Sequence, residues 1–185
     1  MSALLIIGVI AGVLILWIIS SYNKLIVLRN RLRNARHQID VQLKRRHDLI
    51  PNLVNAVKGY MKYEQETLTK IIEARAKAVS GGSLKEIAKA EGELSGLLSR
   101  LFALFENYPD LKADENVLRL QEELVTTENQ LSYARQLYND TVMRYNNAIM
   151  VFPTNIIAGM FSFKEEEFFE VPEAEKETPT VDLSL

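Results

Sequence analysis

The stretch ALLIIGVIAGVLILWII, residues 3–19, contains no charged side chain. A bilayer core about 30 Å thick needs roughly 20 helical residues to cross it, with about 17 as the lower limit. Residues 20–22 bring the run to that length, and Trp17 and Tyr22 near its end carry the amphipathic rings that favour a membrane interface. The sequence therefore predicts a single transmembrane anchor over residues 1–21.

A cleaved signal peptide is a weaker interpretation of this stretch. Such a peptide has a basic n-region, an apolar core of about 7–15 residues and a cleavage site of small residues. Only Met1 and Ser2 precede the run, the run is too long, and residues 18–20 match a cleavage site poorly. We therefore expect the helix to be retained.

Two glycines, Gly8 and Gly12, form a G-x-x-x-G pair within the apolar run. This spacing lets two membrane-spanning helices approach closely. Glycine is also common in membrane helices for other reasons. We predict self-association through this face, and hence a homo-oligomer.

Basic residues cluster immediately after the apolar run, whereas only the terminal amine precedes it. Because positive residues near a span stay on the cytoplasmic side, we expect the N-terminus outside and the body in the cytoplasm, at the cell (inner) membrane. Anionic lipid headgroups are the simplest partner for these cations, and a solvated helix face is an equally good explanation. The predicted lipid-contacting cations are Lys24, Arg29, Arg31, Arg33 and Arg36.

The net charge of −2 hides a split along the chain. Residues 20–60 hold nine basic and two acidic residues, and residues 61–185 hold thirteen basic and twenty-two acidic ones. A tethered basic helix without interleaved aromatic residues is a poor nucleic-acid site, so no nucleic-acid partner is expected. Residues 164–185 hold eight carboxylates and little apolar surface, which predicts an acidic disordered tail. Opposite charge suggests that this tail folds back on the basic helix of its own or a neighbouring subunit.

The body, residues 22–163, has helical periodicity and no alternating strand pattern. Pro51 fits either the first turn of a new helix or a kink in a continuous one, and the helix lengths favour the turn. We predict an all-α fold in which a single transmembrane helix is followed by an antiparallel four-helix bundle of long helices with coiled-coil-like packing; a coiled-coil stalk has the same periodicity. The predicted helices are about 22–49, 52–79, 84–106 and 113–151.

The last predicted helix has an apolar stripe of 3-4 spacing from Val117 to Phe152. Asn139 and Asn146 on this helix predict interhelical hydrogen bonds that set the register, with solvent exposure as the alternative. In an alternating bundle this helix returns to the membrane, so residues 156–163 would lie at the bilayer surface or cover the open end of the bundle. The predicted lipid-contacting residues there are Ile156, Ile157, Met160 and Phe161.

The sequence contains no pattern typical of an active site or a metal site. It has no Cys and two His, and His37 and His47 are ten residues apart, which points them to different helix faces. We interpret each His as a polar or capping residue. We predict no catalytic residue, no metal and no cofactor, and therefore a protein that is not an enzyme.

Six sequence blocks carry a specific resemblance. They are QIDVQLKRRHDLIPNLVNAVKGY (38–60), ARA (74–76), YPDLKADENVLRLQEEL (108–124), ENQLSYARQLYND (128–140), RYNNAI (144–149) and FPTNIIAGMF (152–161). In this order, within residues 22–170, they resemble the LemA family of bacterial membrane proteins. The resemblance implies a single-pass anchor, an α-helical bundle and no assigned enzymatic activity. Some members lie beside membrane proteostasis factors, which makes such proteins candidate partners.

These features favour a membrane-anchored, non-enzymatic helical scaffold that self-assembles or recruits partners at the cytoplasmic membrane face. One alternative is a lipid-binding, membrane-shaping module, which would use the basic helix and residues 156–163. A second alternative is a regulatory subunit of a membrane protease. The expected partners are membrane lipids and further copies of the chain.

Overall fold

The computed structural model describes residues 1–169, and every regular element in that range is helical. An all-α protein with one long apolar N-terminal helix is therefore confirmed, whereas the antiparallel four-helix arrangement stays a prediction. The helices are α1 (Ser2–Val57), α2 (Gln65–Val79), α3 (Leu84–Leu104), α4 (Pro109–Lys112), α5 (Glu115–Met150) and α6 (Thr154–Met160), with a 3₁₀ turn at Phe105–Asn107.

The apolar run forms the first part of α1. Within residues 1–169, α1 is the one helix long and apolar enough to cross a membrane, with a mean hydropathy of 2.7 over its most apolar window. None of that window is buried by other parts of the chain. A helix that is apolar on all sides needs an apolar surrounding, and a bilayer supplies one.

The predicted break at Pro51 is wrong, because α1 continues through this residue to Val57. Proline has no N–H, so the carbonyl of His47, four residues earlier, loses its helical partner. Arg75 of α2 supplies the missing donor: its Nε lies 2.6 Å from the His47 oxygen. The chain turns only after Val57, around Gly59, and α2 begins at Gln65.

The predicted break between a helix ending at residue 79 and one beginning at residue 84 is confirmed, and its determinants are local. Gly81 and Gly82 have φ angles of 76° and 137°, which L side chains rarely adopt. Ser83 then caps α3 in a capping box: its Oγ accepts the N–H of Glu86, and the Glu86 carboxylate accepts the N–H of Ser83 at 2.7 Å. The two glycines and this cap together separate α2 from α3.

Replacing Ser83 with alanine is expected to lower the free energy of unfolding by about 1 kcal/mol, because the first turn of α3 loses its side-chain acceptor. Chemical unfolding followed by far-UV circular dichroism measures the change. Ser83→Asn, which retains a capping acceptor, is the matched control. Equal losses for the two variants would show that the cap contributes nothing.

The chain forms two compact units. The first unit contains residues 1–39 and 134–168, and the second contains residues 40–133 together with Phe169. The predicted stripe of α5 is buried at most of its positions, which confirms the 3-4 pattern. Its buried members are Val117, Leu124, Thr127, Leu131, Ala134, Tyr138 and Tyr145.

Candidate functional site

In the first unit, aromatic side chains from its two chain segments, 1–39 and 134–168, are in contact where the apolar run of α1 ends. The ring of Tyr22 lies 4.7 Å from the ring of Phe161 and 5.9 Å from that of Phe163, measured between centroids. The guanidinium carbon of Arg29 lies 5.1 Å from the centroid of Phe163, a cation–π contact. The C-terminal end of α6 therefore lies beside the end of the apolar run. Its contact with lipid stays a prediction.

The predicted lipid-contacting residues differ in exposure. Ile157 is 1% exposed and packs inside the unit, so its predicted contact with lipid is wrong. Ile156 and Ile157 are adjacent and both apolar, and only packing decides which of them faces inward. Arg29 and Arg36 are half-buried. The remaining predicted residues are exposed: Lys24, Arg31, Arg33, Ile156, Met160 and Phe161.

A Schellman motif ends α6 and turns the chain back. Phe163 donates its N–H to the carbonyl of Ala158 at 2.9 Å, and Ser162 donates to Gly159 at 3.2 Å. Ser162 occupies the left-handed position with φ 55°, where glycine is usual. This turn places Phe161 and Phe163 on either side of Ser162, so that both rings reach Tyr22.

Residues 164–169, which the sequence assigned to a disordered tail, follow a defined path. The side-chain amide of Asn146 donates to the carbonyl of Glu166 at 2.9 Å and accepts the Glu166 N–H at 3.0 Å. Tyr138 donates its hydroxyl to the carbonyl of Glu167 at 3.0 Å. The predicted start of disorder at Lys164 is therefore wrong. The rest of the predicted tail, residues 170–185, lies outside the described residues.

These contacts also change the interpretation of Asn146. Its amide binds the backbone of a segment without regular secondary structure, whereas the sequence predicted a hydrogen bond to another helix. Burial raises the pKa of Tyr138, and the nearby charge of Arg36 opposes that shift. Burial likewise raises the pKa of Tyr145. Both phenols therefore remain protonated at neutral pH, and the Tyr138 hydroxyl remains a donor to Glu167.

In the second unit, a buried ionic network connects α1, α3 and α5. Arg46 is 2% exposed and Glu91 is fully buried. Arg46 Nη1 lies 3.0 Å from Glu91 Oε2, and Arg46 Nη2 lies 2.8 Å from Ser95 Oγ and 3.0 Å from Glu128 Oε2. His47 Nε2 lies 2.6 Å from Glu91 Oε1. Each oxygen of the Glu91 carboxylate therefore has a partner.

This network was not predicted from the sequence, although the sequence contains a signal for it. Glu91 lies three residues after Ala88 and three before Leu94, so it shares the buried face of α3. Arg46 lies on the buried face of α1, between Leu43 and Ile50. A charged residue at a core position of an amphipathic helix needs a partner, and each of these two residues supplies one to the other.

Two of the sequence blocks that carry the family resemblance, residues 38–60 and 108–124, are in contact at the start of α5. The Tyr60 hydroxyl donates to Asp114 Oδ2 at 3.0 Å, and Asp114 Oδ1 accepts the N–H groups of Asn116 and Val117 at 2.9 and 3.2 Å. The N–H of Val117 and the Tyr60 hydroxyl hold the pKa of Asp114 below its usual value. Asp114 therefore remains ionised at neutral pH and caps α5 while binding Tyr60.

A half-open cavity of about 330 Å³ lies in the second unit beside the ionic network. Arg46 and Glu128 form its polar side, and Leu98, Phe102 and Val125 belong to its apolar side. The guanidinium of Arg46 is already bound to Glu91, Ser95 and Glu128. Within residues 1–169, no group of three or more His, Asp or Glu side chains is placed to hold a metal ion. The arrangement can hold the helices together, because its charged groups on α1, α3 and α5 bind one another.

The sequence model of the LemA family matches residues 35–183. The chain is 28% identical to Protein LemA of Metamycoplasma hominis over 83% of this chain and 71% of that protein. It is 24% identical to Magnetosome protein MamQ 2 of Paramagnetospirillum magneticum over 99% of this chain and 77% of that protein. It is 23% identical to Magnetosome protein MamQ of Magnetospirillum gryphiswaldense over 80% of this chain and 64% of that protein. The family match covers most of the chain, including the ionic network and the contacts of Asn146, and the protein therefore belongs to the LemA family.

Proposed function

We propose that this protein is a membrane-anchored, non-enzymatic helical scaffold that self-assembles or recruits partners at the cytoplasmic face of the inner membrane. The observation that carries the proposal is the continuity of α1. One helix contains the apolar run, residues 3–19, and also Arg46 and His47 of the buried network. No linker separates the apolar run from the helix that follows it, because both belong to α1.

The orientation in this proposal rests on the charges that flank the apolar run. Lys24, Arg31 and Arg33 are exposed just beyond it. Positive residues near a span are retained in the cytoplasm, so the proposed N-terminus is outside. The match to MamQ 2 over 99% of this chain extends into the apolar run, which supports the anchor and the body as one architecture.

The non-enzymatic part of the proposal rests on how the buried charges are used. Glu91, Arg46 and His47 bind one another, and Ser95 binds Arg46. A catalytic base or nucleophile needs an atom that is available to a substrate, and these groups use their polar atoms on one another. Such a network is suited to fixing the register of helices.

Self-association through Gly8 and Gly12 is the part of the proposal that can be tested most directly. A Cβ added at either glycine meets no atom within 4 Å, so a leucine fits the single chain without repacking it. The variant Gly8→Leu/Gly12→Leu is expected to lower the oligomer fraction at least several-fold, because bulk at a G-x-x-x-G face separates the helices. Native mass spectrometry of protein extracted in mild detergent measures this fraction.

The matched control is Ile10→Leu, which changes an apolar side chain on the opposite side of the same helix. It is expected to leave the oligomer fraction unchanged. An oligomer that survives in the double glycine variant would remove the glycine face from the proposal. A monomeric protein without any bound partner would contradict the scaffold itself, and a protease bound in constant stoichiometry would favour a regulatory subunit.

A further inference from the structure

An uncharged surface lies in the first unit at the junction of α5 and α6. Residues 150–163 contain no Asp, Glu, Lys or Arg. Within this stretch Phe152 is 74% exposed and Met160 is 67% exposed, and Ile156 and Phe161 are about half exposed. We call these four residues the apolar collar. Large apolar side chains that are grouped and exposed usually mark a surface that contacts another apolar phase.

The inward side of α6 packs against the rest of the first unit. Ile157 and Ala158 are buried, and they hold the helix against the rest of the first unit. Ile156 and Met160 are four residues apart on α6, so they share its outward face. The collar therefore results from the orientation of α6 and is not a disordered chain end.

The position of the collar along α1 is set by the contact between Tyr22 and Phe161, whose ring centroids are 4.7 Å apart. Tyr22 lies three residues after Ile19, the last residue of the apolar run, which is about 4.5 Å along a helix. The polar layer on each side of a bilayer core is roughly 5–8 Å thick. If the apolar run spans the membrane, Phe161 lies at the level of this layer.

We propose that the apolar collar inserts into the lipid interface of the cytoplasmic leaflet beside the exit of α1. Its occupant is the interfacial layer of the bilayer itself. Because the collar lies beside the end of the apolar run, it is at the depth of the lipid interface. Residues 150–163 carry no charge, which lowers the free-energy cost of inserting them into that interface. The exposed Lys24 places a cation at the level of the headgroups. The inference rests on the membrane anchor and does not depend on the scaffold role.

The test uses the full chain with single cysteines, because the natural sequence has none. An environment-sensitive fluorophore is attached at Met160→Cys or Phe152→Cys, and the protein is reconstituted at low density in vesicles of phosphatidylcholine and phosphatidylglycerol. We expect blue-shifted emission at both positions and loss of most of it when the lipids carry a shallow spin label. Asn34→Cys, at an exposed position of the first unit about 22 Å along α1 beyond Ile19, is expected to keep its emission.

A fluorophore at Leu14→Cys, within the apolar run, reports on the anchor separately. Blue-shifted emission at Leu14→Cys that is quenched by a spin label deep in the acyl chains, with water-like, unquenched emission at both collar positions, would overturn the collar while leaving the anchor intact. Protection that appears only at high protein density would assign the collar to a second copy of the chain and would also overturn the proposal. Circular dichroism confirms that each labelled protein keeps its helical content, and the two collar positions serve as independent readouts.

Discussion

Replacing Glu91 with leucine is expected to lower the free energy of unfolding by about 3–5 kcal/mol, the largest loss of any single substitution considered for this chain. Glu91 is fully buried and binds Arg46 at 3.0 Å and His47 at 2.6 Å. Leucine fills a similar volume but leaves the Arg46 guanidinium, itself 2% exposed, with one carboxylate partner instead of two. Urea unfolding in detergent micelles, followed by far-UV circular dichroism, measures the loss.

The control for this prediction is Lys44→Ala. It removes an ion pair with Asp48 of 2.9 Å, but both side chains are exposed to water, so little change in stability is expected. A loss for Glu91→Leu no larger than that for Lys44→Ala would show that the buried network does not stabilise the second unit. The double variant Arg46→Met/Glu91→Leu removes both charges of the Arg46–Glu91 pair and is expected to recover part of the stability.

The second large effect concerns Pro51, which lies inside α1. Proline in a helix interior is about 3 kcal/mol less favourable than alanine, so Pro51→Ala is expected to raise the free energy of unfolding. The gain is expected to be smaller than this amount, because Arg75 already binds the His47 carbonyl that lacks a helical partner. Arg75→Ala alone is expected to cost about 1–3 kcal/mol, since it leaves that carbonyl without a donor.

The two substitutions are expected to be coupled. Alanine at position 51 restores a backbone N–H to the His47 carbonyl, so Arg75→Ala should cost at least about 1 kcal/mol less in the Pro51→Ala background than in the natural chain. Urea unfolding of the four proteins of the cycle measures this difference. Lys70→Ala, which removes another cation from α2, is expected to be additive with Pro51→Ala. Additive effects of Pro51→Ala and Arg75→Ala would show that the Arg75 bond does not replace the missing N–H.

Pro51 also shows where prediction from this sequence reaches its limit. The break at Ser83 and the end of α5 before Pro153 could be predicted, because their determinants lie within a few residues along the chain. The continuity of α1 could not, because the compensating donor is 28 residues away from His47. The tendency of proline to break a helix can be read from the local sequence. The group that compensates for the missing N–H is brought there by the tertiary fold.

The features of the candidate sites likewise divide into those that could be predicted from the sequence and those that depend on tertiary packing. The return of the chain to the end of the apolar run could be predicted from helix order, and the contact between Tyr22 and Phe161 agrees with it. The inward rotation of Ile157 and the pairing of Glu91 with Arg46 could not, because each depends on which neighbour a face packs against. Periodicity identifies a face, and only packing identifies its partner.

The Asn146 contacts have a consequence for how this protein can vary. Asn146 and Tyr138 bind main-chain atoms of Glu166 and Glu167, atoms that every amino acid except proline presents alike. Side chains of α5 therefore determine the path of the main chain after α6. The acidic side chains of that segment are exposed. Their charge can change without rerouting the backbone, which leaves this segment available for tuning the electrostatics of the protein independently of its fold.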